Sequence, residues 1–135
     1  MTLLLDTHTI VWLTEDSPRS LGRVAFRACD VALAASELAV PTIAFYELGQ
    51  MLKRGRIGGP ASVRDWRARI LSLGVREVSL TAEIAVQATD LENLPGDPFD
   101  RIIVATALVE DAVLMTADRP VLEWSGRLRR QDARR

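Results

Sequence analysis

The chain has 135 residues, of which 48% are hydrophobic and 26% charged, and its formal net charge is −1. This composition is typical of one globular domain over residues 1–135, and no apolar stretch is long enough to span a bilayer. The single cysteine, Cys29, excludes an intramolecular disulfide, and Asp6 interrupts the apolar run that a signal peptide would need. We therefore expect a cytoplasmic protein.

Short apolar runs alternate with helical stretches, as in βαβ units that build a parallel sheet. In the first half, the predicted elements are a strand at Thr2–Leu5, a helix at about Thr7–Thr14, a loop at 17–22, a helix from Ser20 or Gly22 to about Ser36, a strand at Leu38–Val40, and a helix that begins at Pro41 and ends at Gly55.

In the second half, the elements are a helix in GGPASVRDWRARILSLG with Pro60 near its start, a strand at Val75–Leu80, helices in TAEIAVQATDLENL and GDPFDRIIVATALVEDA, a strand at Ala112–Met115, and a short helix after Pro120. A fifth strand near Leu128 has almost no apolar signal, and we expect the basic end, residues 127–135, to be a solvated tail. The fold class is therefore α/β, with a mostly parallel sheet.

Acidic residues follow two of the predicted strands, Asp6 after the first and Asp118 after the fourth. Because ligands of open α/β sheets bind at the carboxyl ends of the strands, we expect these two acids to share one crevice. Each could instead cap the helix that follows it. Asp97 before Pro98 is a better cap candidate, with Asp100 three residues later.

Glu47 has no such explanation, since it lies in the middle of the helix TIAFYELGQMLK at the border of its apolar stripe. A glutamate there needs a partner such as an arginine or a metal ion. Two carboxylates at ~5 Å repel by about 3 kcal/mol at an effective dielectric of 20. Raised pKa values or a bound Mg²⁺ or Mn²⁺ would relieve that repulsion, and the Thr116 hydroxyl could orient an acid.

Such a site suits phosphodiester hydrolysis, which needs no serine or cysteine nucleophile when a metal is present. The single histidine, His8, argues against a histidine-based triad or a zinc site, and we expect it to be a packing or orienting residue. Trp12 is predicted to lie in the core.

Four segments, DTHTIVWL, PTIAFYELGQML, DPFDRIIVATAL and LMTAD, together resemble the PIN-domain ribonucleases, and more narrowly the VapC toxins of bacterial type II toxin–antitoxin systems. They occur in the family's order from Thr2 to about Asp118. The resemblance implies a three-layer sandwich and an endoribonuclease that depends on Mg²⁺ or Mn²⁺. By position, its acidic metal-binding quartet would be Asp6, Glu47, Asp100 and Asp118, with Asp97 and Thr116 in support.

The resemblance also implies partners. Toxins of this family cleave structured cellular RNA, are usually homodimers, and are silenced by a VapB-like antitoxin that often places an arginine or lysine among the acids. The arginine-rich end departs from the family, since many members have a hydrophobic last strand there.

Two other functions share part of this pattern. A haloacid-dehalogenase-type phosphatase needs an acid two residues after its nucleophile, where this chain has His8. A PIN-like or receiver-like regulatory module could hold a metal with the same acids and have no nuclease activity.

Overall fold

Five parallel strands form the centre of the molecule. The computed structural model describes residues 1–15 and 20–135, so the first half of the predicted loop at 17–22 lies outside the described residues. The strands are β1 (Leu3–Leu5), β2 (Leu38–Pro41), β3 (Arg76–Val78), β4 (Val113–Thr116) and β5 (Arg130–Asp132). Their order in the sheet is β3-β2-β1-β4-β5, and every neighbouring pair is parallel.

Helices cover both faces of this sheet. They are α1 (Thr7–Thr14), α2 (Arg23–Ala34), α3 (Ile43–Lys53), α4 (Val63–Ser72), α5 (Ala82–Asp90), α6 (Pro98–Val109) and α7 (Arg119–Leu122). The longest described helices have 12 residues, and none is long and apolar enough to cross a membrane.

Strand β1 separates two hydrophobic cores because neighbouring side chains of a strand point to opposite faces. Leu3 and Leu5 pack into the core formed with α1, α2, α3 and α4. Leu4 packs on the other face, against Val104 of α6 and Val121 of α7. The predicted three-layer α/β sandwich is confirmed, with a sheet that is parallel throughout.

One predicted helix start is wrong. Pro41 is the last residue of β2, and α3 begins at Ile43, because the Thr42 N–H still donates to the Val78 carbonyl at 2.9 Å and extends the pairing with β3. Pro60 lies near the start of the next helix, as predicted, and just outside it. The Ser62 hydroxyl accepts a hydrogen bond from the Asp65 N–H at 3.1 Å, which fixes the start of α4 at Val63.

The basic end is not the solvated tail that we expected. Residues Arg130–Asp132 form β5 on the edge of the sheet, where polar and charged side chains are usual. Ala133 is 0% exposed, and its carbonyl accepts a hydrogen bond from the Gly22 N–H at 2.8 Å. The Arg135 carbonyl accepts from the Ala25 N–H at 2.9 Å, so the last residues lie against the start of α2.

Gly22 permits this close approach because a Cβ there would lie 1.9 Å from the Arg135 carbonyl oxygen. We predict that Gly22→Ala lowers the free energy of unfolding by about 2 kcal/mol, since backbone has to move away. Gly58→Ala is the control, because a Cβ at Gly58 meets nothing within 4 Å. Urea denaturation of the two variants tests the contact, and equal stability would contradict it.

Candidate active site

A pocket of about 260 Å³ opens at the carboxyl edge of the sheet, beside the ends of β1 and β4. All the acids singled out in the sequence line it, namely Asp6, Glu47, Asp97, Asp100 and Asp118. A cavity of about 240 Å³ lies beneath α1, α2 and α4, but its lining is mainly apolar and includes Cys29 and Phe26. The acidic pocket is therefore the candidate for chemistry.

Asp6 caps a helix and also faces the pocket. Its Oδ1 accepts a hydrogen bond from the Thr9 N–H at 2.9 Å, which confirms the predicted N-cap of α1. Its Oδ2 accepts from the Thr116 hydroxyl at 2.5 Å. Thr116 is buried, and its Oγ1 accepts in turn from the Asp118 N–H at 3.1 Å. Thr116 thus orients Asp6, as the sequence suggested.

Glu47 lies half-buried on α3, and its hydrogen-bond partner among the described residues is a threonine and not an arginine. The Thr7 hydroxyl donates to Glu47 Oε1 at 2.5 Å. Burial raises the pKa of Glu47, with a further increase from the Asp97 carboxylate, while the hydrogen bond from Thr7 lowers it.

Asp97 and Asp100 occupy the start of α6. Asp97 Oδ1 accepts a hydrogen bond from the Asp100 N–H at 3.0 Å, so the predicted cap is confirmed. Burial raises the pKa of Asp100 to about 7, and the carboxylates of Asp97, Asp118, Glu47 and Asp6 add to the increase. A group with that pKa holds its proton at neutral pH about half of the time unless a cation is near.

Asp118 precedes α7, but its carboxylate makes no hydrogen bond that meets the geometry of the predicted cap. Its Oδ2 is buried and has no hydrogen-bond partner among the described residues. Burial raises the pKa of Asp118, and the nearby Val121 amide lowers it. The Asp6 carboxylate raises the pKa of Asp118 further. A buried carboxylate oxygen without a partner is costly unless a ligand satisfies it.

His8, Trp12 and Arg134 also line the pocket. His8 is exposed rather than packed, and its ring centroid lies 6.3 Å from that of Trp12. Trp12 packs on the edge of the core but also lines the pocket, so its predicted core position is only partly right. The sequence analysis missed Arg134 and Thr7 as pocket residues. The sequence signal for Arg134 is the basic end that contains it. The signal for Thr7 is its position directly after Asp6.

The acids suit a hard divalent cation that keeps part of its water shell. In residues 1–15 and 20–135, no three Asp, Glu, His or Cys side chains are close enough to hold a metal ion. Mg²⁺ commonly binds through one or two carboxylates and retains several waters. The unpartnered Asp118 oxygen and the raised pKa values of three acids are what such an ion would relieve.

We predict that Asp100→Asn stabilises the protein in EDTA at high pH. Between about pH 4 and 7 the folded protein keeps a proton on Asp100 that the unfolded chain has released, so stability falls as the pH rises. The variant should exceed the wild type in Tm by about 5 °C at pH 8, and by much less at pH 4.

Asp90→Asn, at the exposed end of α5, is the charge-matched control and should change Tm little at either pH. A Tm difference for Asp100→Asn that did not depend on pH would contradict the prediction.

Comparison with known proteins agrees with this architecture. The family model of the PIN domain matches residues 3–122. Ribonuclease VapC22 of Mycobacterium tuberculosis is 37% identical over 119 residues, which cover 87% of this chain and 88% of that protein.

Solved structures of low sequence identity share the fold. VapBC2 from Rickettsia felis, bound to a promoter DNA fragment, matches with a TM-score of 0.72 and 15% identity over 97% of this chain and 98% of that chain. DNA-bound VapBC from Salmonella typhimurium matches with a TM-score of 0.71 and 16% identity over 98% of each chain. VapC20 of M. tuberculosis, a toxin that cleaves the sarcin–ricin loop, matches with a TM-score of 0.60 and 16% identity over 95% of this chain and 99% of that chain. The chain therefore belongs to the PIN-domain family, among the VapC ribonucleases.

Proposed function

We propose that this protein is the toxin of a type II toxin–antitoxin system, a Mg²⁺- or Mn²⁺-dependent endoribonuclease that acts in the cytoplasm. The observation that carries the proposal is the convergence of five carboxylates on one pocket, with a buried Asp118 oxygen that lacks a partner among the described residues. Nucleases of this family generally depend on divalent metals. The relative VapC22 is itself named a ribonuclease.

Asp6, Glu47, Asp100 and Asp118 are the residues that we assign to the metal, one or two of them as direct ligands and the others through its water molecules. When bound, the ion would polarise a phosphoryl oxygen and lower the pKa of a water for in-line attack. Asp118 would contribute its free Oδ2. Asp6 still has acceptor capacity, because each carboxylate oxygen has a second lone pair beyond the Thr9 and Thr116 hydrogen bonds.

Asp97 and Thr116 support this set. The Thr116 hydroxyl links the Asp6 side chain to the Asp118 backbone, so it fixes the positions of these two strand-end acids relative to each other. Asp97 fixes the first turn of α6 and thereby the position of Asp100. Rigid support of this kind is what a metal site requires. Among the described residues, the pocket lining contains no serine or cysteine, which fits hydrolysis by an activated water rather than by a covalent intermediate.

RNA is the proposed substrate, a VapB-like antitoxin the proposed partner and a homodimer the proposed assembly. One solved structure with this fold is a toxin–antitoxin complex from Klebsiella pneumoniae, and others are VapBC proteins. Helix α2 exposes Phe26 beside the apolar cavity. On its other flank the same helix exposes Val24 and Val31. Exposed apolar side chains are typical of a protein-binding surface, and we assign the exposed surface of α2, centred on Phe26, to the antitoxin.

We predict that the purified protein cleaves total RNA with Mn²⁺ and that EDTA abolishes the cleavage. Asp6→Asn and Asp118→Asn should each lower the rate at least about 100-fold, because each removes a charged metal ligand. Asp90→Asn is the matched control and should cleave like the wild type. Gel electrophoresis of the products measures the rates. Metal binding without cleavage by the wild type would favour the regulatory module, and equal cleavage by Asp6→Asn would exclude its assigned role.

We also predict that co-expression of the cognate antitoxin relieves the growth arrest that this protein causes. Phe26→Asp should weaken antitoxin binding about 100-fold in a pull-down, since a charge replaces an apolar contact, and should leave RNA cleavage intact. Val86→Asp, at a similarly exposed valine of α5 on the other face of the sheet, is the control. Equal antitoxin binding by both variants would place the interface elsewhere.

A further inference from the structure

We propose that Arg134 binds a backbone phosphate of the RNA substrate at the mouth of the acidic pocket. This inference rests on the proposed nuclease function and adds a substrate-binding residue that the acidic quartet does not include. Arg134 lines the same pocket as the acids, and it is the only arginine or lysine among the described residues of that lining.

The guanidinium of Arg134 is held by an aromatic ring rather than by an acid. Its central carbon lies 5.8 Å from the centroid of the Trp12 ring. In the part of the chain that the structure describes, no ion pair includes Arg134, although five carboxylates line the pocket. Contact with a ring face leaves the guanidinium N–H groups free to donate.

The backbone that carries Arg134 is fixed on both sides. Ala133 is buried, donates to the Thr116 carbonyl at 2.9 Å and accepts from Gly22 at 2.8 Å. The Arg134 N–H donates to Asp132 Oδ1 at 2.9 Å. A side chain on such a backbone loses less conformational freedom when it binds a ligand than one on a loose tail would.

An RNA phosphate needs a cation in this pocket. A phosphate that approaches several carboxylates is repelled, by about 3 kcal/mol for each unit charge at 5 Å and an effective dielectric of 20. An arginine or lysine that was paired with one of the acids would have fewer N–H groups left for the phosphate. Arg134 has no such partner in the described structure, and the guanidinium fork matches the geometry of phosphate oxygens.

Steady-state cleavage of a fluorescein-labelled RNA hairpin is the first test. We expect Arg134→Ala to raise KM about tenfold with little change in kcat, and Arg134→Lys to recover part of the loss. Arg135→Ala removes the same charge from the next residue, which lies outside the pocket lining, and should match the wild type. Equal KM values for Arg134→Ala and Arg135→Ala would overturn the proposal.

Binding without catalysis is the second test and does not require nuclease activity. The same hairpin is titrated in EDTA with Asp100→Asn, alone and combined with each arginine variant, and fluorescence anisotropy gives Kd over a series of salt concentrations. We expect the slope of log Kd against log salt to fall by about 0.7–1 when Arg134 is replaced by Ala, and not when Arg135 is. An unchanged slope overturns the phosphate contact.

The two tests separate the inference from the proposed function. A wild type that cleaves no RNA, with an Arg134-dependent salt slope, contradicts the nuclease proposal and supports the phosphate contact. If the wild type cleaves RNA but Arg134→Ala changes neither KM nor the salt slope, the nuclease proposal is supported and the phosphate contact is contradicted. A lowered Tm in both Arg134→Ala and Arg134→Lys, together with equal loss of binding, would assign Arg134 a structural role and overturn the proposal.

Discussion

The hydrogen bond from Thr116 to Asp6 joins residues that are 110 positions apart, and the candidate active site depends on it. It forms because β1 and β4 are parallel neighbours, with Leu5 paired to Met115, so both chains leave the sheet at the same edge. The Asp118 N–H then donates to the same hydroxyl. Any shift in the register of β4 would separate the first acid from the last and open the pocket.

Holding the carboxylates together costs folding free energy. A domain of this size is stable by only about 5–15 kcal/mol, and the raised pKa values of Glu47, Asp100 and Asp118 mark where part of that stability is lost. The protein offsets the cost locally with the Thr7 and Thr116 hydroxyls and with backbone amides. It leaves Asp118 Oδ2 without a partner among the described residues, a cost that a bound ligand would relieve.

The sequence predicts which acids face the pocket, because each prediction rests on a physical rule that applies to any fold of this class. Strand ends of a parallel sheet meet at one edge, which predicted that Asp6 and Asp118 would share a pocket. A glutamate beside an apolar stripe has to face an interior or a cleft, which predicted Glu47. These rules need only the type and order of the elements.

What the sequence does not predict depends on backbone contacts between distant segments. Strand β5 is held by main-chain hydrogen bonds to β4, and its residues Arg130–Asp132 have no apolar pattern that would reveal them. Arg134 could not be placed in the pocket without that strand. The predicted start of α3 was also wrong. The hydrogen bond from Thr42 to Val78 joins segments that are far apart in the chain, so the residues around Pro41 alone do not indicate it.

The contact between Gly22 and Arg135 has a practical consequence for work with this protein. Residues added after Arg135 would have to leave from a point packed against the start of α2, close to the acidic pocket. Met1 lies at the amino end of β1, on the opposite edge of the sheet, and is 61% exposed. An affinity tag or fluorophore at the amino terminus should therefore leave RNA access unchanged, whereas one at the carboxyl end would crowd the cleft.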